Sequence, residues 1–91
     1  MKISVSNAFL RFKKKSNKNI QLEIDKQVKN ILENPEIGEL KKGDLRGIRV
    51  HKFKFKSQLY LISYEVTGET LNLYVIGTHE NFYDRLKNLF Y

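Results

Sequence analysis

Two histidines, a run of alternating lysines and one tyrosine are the groups of this chain best suited to move protons or hold phosphate near neutral pH. His79 and Tyr83 stand four residues apart in the stretch GTHENFY, so a helix starting at once would set them on one face. An imidazole gives or takes a proton near neutrality, and an uncharged one at position 79 can serve as a general base. A phenol at position 83 can stack on a base or bond a phosphate. The second stretch is Ile48–Lys56, IRVHKFKFK. Burying Phe53 and Phe55 sends Lys52, Lys54 and Lys56 out together on the opposite face of a strand. Ammonium groups at two-residue spacing repel one another unless an anion lies across them, as a phosphate backbone would. Arg46, Arg49 and His51 flank the lysines as further phosphate contacts, with a structural role the alternative for His51.

These groups match what RNA cleavage by its own 2′-hydroxyl requires: a base for the hydroxyl proton, cations for the extra negative charge and an acid for the leaving 5′-oxygen. No glycine-rich phosphate loop, His-x-x-x-His pair, carboxylate cluster or elbow serine is present, so neither metal nor cofactor is expected. A blander reading stands beside this one. Lysines protect exposed sheet faces against aggregation, Phe82 and Tyr83 could plug the core, and His79 could merely begin a helix. The run Lys13–Lys15 would spread around a helix as a solvated face.

The elements that must position these residues follow from hydrophobic period. Met1, Ile3 and Val5 alternate as a short strand, with Ser6 or Asn7 placed to cap a helix. Ala8, Phe9 and Phe12 recur at helical spacing, and SNKN at 16–19 is a turn. Ile20, Ile24, Val28, Ile31 and Leu32 make a longer helix that Asn34-Pro35 ends. Residues 36–47 read as a surface connection anchored by Leu40 and Leu45. Strands follow over about 47–55, 59–66 and 70–76, joined by tight links into an antiparallel meander. The first changes its hydrophobic phase, which a bulge near Val50–Lys52 would reconcile. The middle strand is apolar on both faces and so expected to be covered on both. A helix over 80–90, capped by Thr78, closes the chain. The expected fold is α+β, ordered β-α-α-β-β-β-α, an antiparallel sheet packed against an N-terminal helical hairpin.

At 91 residues one domain spanning the chain is expected, with a thin core and a shallow surface site rather than a deep cavity. The formal charge of +7 points to a polyanionic partner. No apolar run approaches the length of a spanning helix, and the absence of cysteine excludes disulfides and fits a cytoplasmic protein.

The helical pair ending in ILENPEI, the LRG of Leu45–Gly47, the lysine strand, YLISYEV, and VIGTHENFYDRLK together resemble the RelE/ParE superfamily of bacterial toxins from type II toxin-antitoxin modules. The resemblance covers most of the chain. In the RelE branch it implies a ribosome-dependent endoribonuclease (an mRNA interferase) that cleaves without metal. Lys52 and Lys54 then match the paired lysines of the RelE strand, and His79 with Tyr83 resembles the His and aromatic pair of YafQ-like relatives. Leu61 departs, standing where RelE carries an arginine, and His79 stands for a terminal arginine of RelE. The ParE branch shares the fold, lacks this catalytic set and poisons DNA gyrase, and the C-terminal stretch resembles it too. Either branch implies a cognate antitoxin whose acidic or partly disordered C-terminal segment covers the basic surface. A harmless binding module is the third possibility.

Overall fold

The computed structural model describes residues 1–90. Ser6 opens the first helix: its Oγ accepts from the Phe9 amide at 3.1 Å and also donates to the Tyr74 carbonyl. That one hydroxyl ends β1 (Lys2–Val5), caps α1 (Asn7–Lys15) and ties both to a distant strand. Asn17 caps α2 (Lys18–Glu33) in the same way, accepting from the Ile20 amide at 3.1 Å, and Asn34 before Pro35 stops it.

The chain continues through β2 (Glu39–Leu40), a single 3₁₀ turn at Gly43–Leu45, β3 (Arg49–Phe55), β4 (Gln58–Thr67), β5 (Thr70–Thr78) and α3 (Phe82–Phe90). The sheet runs β1-β5-β4-β3-β2. Its central meander is antiparallel as expected, but β1 joins the outer side of β5 in parallel, so the sheet is mixed. Alternation in Met1–Val5 marks a strand and carries no information about its partner's direction. The connection after α2 also holds an unexpected strand: Glu39 and Leu40 pair with Val50 and Arg49.

Both faces of the sheet are covered. Against α1 and α2 lie Phe9, Ile20, Ile24, Ile31, Phe53, Ile62 and Tyr64 among others. Beneath α3 lie Leu45, Ile48, Val50, Leu61, Val75, Phe82 and Leu86. Full burial of a side chain such as Phe82 stabilises by about 1.5–3 kcal/mol, and together with Leu86 it anchors a nine-residue helix that could not persist alone.

This second core explains the changed phase of β3 without a bulge. Its pairing with β4 is unbroken from Arg49↔Tyr64 to Phe55↔Gln58. Val50 is buried under α3, and Lys52 and Lys54 continue the same face beyond the helix into solvent. The irregularity lies instead in β5, where register slips opposite Ser63/Tyr64 and Tyr74 is the extra residue. Buried Ser63 serves the bulge, accepting from the Val75 amide at 2.9 Å and donating to its carbonyl at 3.3 Å.

Candidate nucleic-acid interface

The α3 face of the sheet carries the residues that could act on an anion. Lys52 pairs across β4 with Leu61, and Leu61 with Gly77 of β5. His79 lies two residues past Gly77 and directly follows Thr78, which pairs with Tyr60 at the end of the sheet. Two strand spacings separate the lysine strand from β5, roughly 10 Å, a gap that a lysine side chain and an imidazole can close upon a phosphate.

His79 does not start the helix. Thr78 is the last residue of β5, and residues 79–81 form an exposed turn in which the Phe82 amide donates to the His79 carbonyl at 3.3 Å. Asn81 turns the chain in the left-handed region, φ 62°, a conformation asparagine tolerates better than most residues. The two side chains still meet: the rings of His79 and Tyr83 stand edge to face at 6.2 Å.

Sequence reasoning missed the third member of this group. The Lys41 ammonium lies 5.3 Å from the centroid of the Tyr83 ring and forms an ion pair with Glu39. The Glu39 carboxylate, followed by the Tyr83 hydroxyl, holds Lys41 above the ordinary lysine range against the opposing effect of partial burial. Glu39 is held below the ordinary carboxylate range, first by Lys41 and more weakly by Lys52. Lys41 belongs to residues 36–47, read from sequence as a surface connection. Only the pairing of Glu39 with Val50 brings it to the face. Its amide also bonds the Ile48 carbonyl at 2.8 Å.

Three expected phosphate contacts lie elsewhere. His51 is on the hairpin face, 8% exposed, its Nε2 2.8 Å from Gln27 Oε1 and its ring stacked on Phe53. Burial pushes its imidazole below the usual histidine range. Arg49 shares that face and donates to the Gly38 carbonyl at 2.8 Å, so it pins the segment leading to β2. Strand alternation forces both assignments once Lys52 faces α3. Lys56 leaves the lysine row: with Ser57 it forms the β3–β4 turn, both at positive φ, and its ammonium lies 5.5 Å from the Phe55 ring. Arg46 is exposed just after the 3₁₀ turn. Leu61 is fully buried beneath α3 and contributes packing alone. Among the described residues no three His, Asp or Glu side chains converge as a metal-binding group, and no helix is long and apolar enough to cross a membrane.

The mixed five-stranded sheet between a helical hairpin and a short C-terminal helix is similar to that of solved RelE toxins. Residues 3–87 match the family model described as ParE-like toxin of type II bacterial toxin-antitoxin system, and the chain belongs to that family. The structure is similar to a free-state mutant of the Escherichia coli toxin RelE in which two arginines are replaced by alanine, with TM-score 0.72, 20% identity, 97% of this chain and 96% of that one covered. It is similar also to a chain of the intact E. coli RelBE toxin-antitoxin complex, with TM-score 0.68, 21% identity, 87% of this chain and 96% of that one. The Helicobacter pylori protein HP0894 is more distant, at TM-score 0.54 and 19% identity over 87% of this chain and 94% of that one. At these identities the likeness establishes the fold. No curated protein matches in sequence.

Proposed function

We propose that this toxin is an endoribonuclease that cleaves mRNA on the ribosome and so inhibits translation. The observation that carries the reading is the contact between the His79 and Tyr83 rings on the sheet face that also presents Lys52 and Lys54. His79 takes the proton of the 2′-hydroxyl, whose oxygen attacks the adjacent phosphorus. Lys52 and Lys54 stabilise the negative charge of the pentavalent phosphorane. The 5′-oxygen leaves with a proton, which the imidazolium formed in the first half of the reaction can return. Tyr83, braced by Lys41, orients the base or phosphate. A cognate antitoxin restrains the toxin, and an acidic, partly disordered segment folding over the cationic face would suit its charge.

Primer extension on a reporter mRNA in a purified translation system tests the reading. Cuts should require the ribosome, and His79→Ala should reduce them about 10²–10⁴-fold with the fold retained. Undiminished cutting would remove His79 from the mechanism. The ParE-like description of the matching family model favours a second reading, inhibition of DNA gyrase without chemistry. Folded protein that cuts nothing yet blocks supercoiling, with or without His79, would establish that one instead.

A further inference from the structure

Arg85 occupies a place made for it. Gly77 in β5 has no Cβ, and one built there would overlap Arg85 Nη2 and stand 3.2 Å from Cζ. The guanidinium therefore meets the strand end-on, Nη2 nearest Gly77 with Cζ and Nη1 behind it, and Nη2 donates to the Ile76 carbonyl at 3.3 Å. β1 pairs with β5 only over 70–73, so this stretch of β5 has an open edge. Arg85 projects beyond that edge into two adjoining clefts. One, of about 350 Å³, is lined by Phe12, Thr78, Glu80, Asn81 and Arg85 and lies beneath the turn that carries His79. The other, of about 370 Å³, is lined by Ala8, Arg11, Phe12, Lys15, Arg85 and Asn88. Phe12 and Arg85 are common to both.

Arg11 and Lys15 stand one turn apart on α1. Neither enters an ion pair among the described residues, where the pairs are Lys13–Asp25 and Lys41–Glu39. Among the described residues three cations thus converge on one concavity with no carboxylate paired to them, and of the Arg85 nitrogens only Nη2 is hydrogen-bonded there. We infer that Arg11, Lys15 and Arg85 form a second phosphate-binding site, which takes a backbone phosphate of single-stranded RNA passing from the His79 turn around the N-terminal end of α3. The inference rests on the RNA-directed reading above. Glu80, on the rim of the first cleft, repels the backbone toward Arg85. The clefts are open and shallow, which suits a flexible strand.

The experiment is fluorescence anisotropy with a labelled single-stranded RNA of about 12 nucleotides, titrated over a salt series against protein carrying His79→Ala, so that the probe stays whole. Arg85→Ala and the double variant Arg11→Ala/Lys15→Ala should each weaken binding about fivefold near 0.1 M salt and flatten the salt slope by about 0.7. Gly77→Ala should do the same as Arg85→Ala, because its methyl displaces the guanidinium without changing any charge. Arg85→Lys, which keeps charge and loses the planar fork, gives the same reading should Gly77→Ala not fold. Parent-like binding by both charge-preserving variants would overturn the site, as would slopes unchanged in every variant. Losses confined to a duplex probe would overturn the single-strand assignment. Ribosomal cleavage is scored separately: its absence beside these binding losses would sink the nuclease alone, and its presence without them would sink the cleft alone.

Discussion

The Lys41 ammonium, 5.3 Å from the centroid of the Tyr83 ring, ties the short outer strand β2 to the first turn of α3. A cation over an aromatic face contributes about 0.5–2 kcal/mol depending on solvent, and here it fixes the ring that touches His79. Lys41→Met keeps the stem and removes the charge. Ribosomal cleavage by this variant should fall several-fold, up to about tenfold, and its melting temperature should fall by at least about 2 °C. Full activity in Lys41→Met would show that Tyr83 needs no such brace.

Lys52 and Lys54 sit on one face, exposed, at two-residue spacing. Each should neutralise one phosphate, so Lys52→Gln/Lys54→Gln should flatten the salt slope of single-stranded RNA binding by about 1.4, at about 0.7 per contact. The same variant should lose cleavage by more than it loses affinity, because cations that meet the phosphorane act on the transition state. Equal losses in the two assays would make the lysines binding groups only.

How much of this was legible beforehand differs from element to element. The helices and the meander could be read because their cores repeat at helical or strand period, and α2 with its caps is the clearest case. Direction and partner were not legible for β1, since alternation is the same in parallel and antiparallel strands. Of the candidate site, two placements were legible because spacing dictates them: Lys52 and Lys54 on one exposed face, and His79 beside Tyr83. Which of its two roles His51 takes was not legible: with both faces of β3 covered, Val50 and Phe53 both count as core, and the parity that exposes Lys52 buries His51. Lys41 and Arg85 gave no signal, because one lies in an irregular connection and the other acts through the missing side chain of Gly77.

His51 should govern acid sensitivity rather than RNA contact. Burial holds its imidazole below the ordinary value near 6.5, so the unfolded chain binds its proton more readily than the folded one. The associated stability is complete above that value and declines as pH falls below it toward the lowered folded pKa. Melting temperature measured from about pH 7.5 down to about pH 5 should drop more steeply for the parent than for His51→Leu. Cleavage and RNA affinity at neutral pH should be the same in both. A weaker salt slope in His51→Leu would return this residue to the interface.

Tyr64 should be the residue on which the position of Lys41 most depends. It pairs with Arg49 across β3–β4, is fully buried, donates its hydroxyl to the Pro35 carbonyl at 2.7 Å and accepts from the Gly38 amide at 2.9 Å. With the Arg49 bond to the Gly38 carbonyl, these contacts fix the segment between α2 and β2, and so where Lys41 emerges. Tyr64→Phe leaves two backbone groups without a partner and should cost about 1–3 kcal/mol, lowering the melting temperature by at least about 4 °C. Gly38→Ala attacks the same contact from the other side, since a Cβ there would stand 2.8 Å from the Tyr64 hydroxyl and 2.9 Å from its ring. A fully buried ring has little room to give, so Gly38→Ala should cost about 1–3 kcal/mol as well. The two losses share one cause and should not add: the double variant should fall short of the sum by about 0.5 kcal/mol or more in a cycle of denaturant midpoints. Strict additivity would mean that Gly38 and Tyr64 support the loop independently.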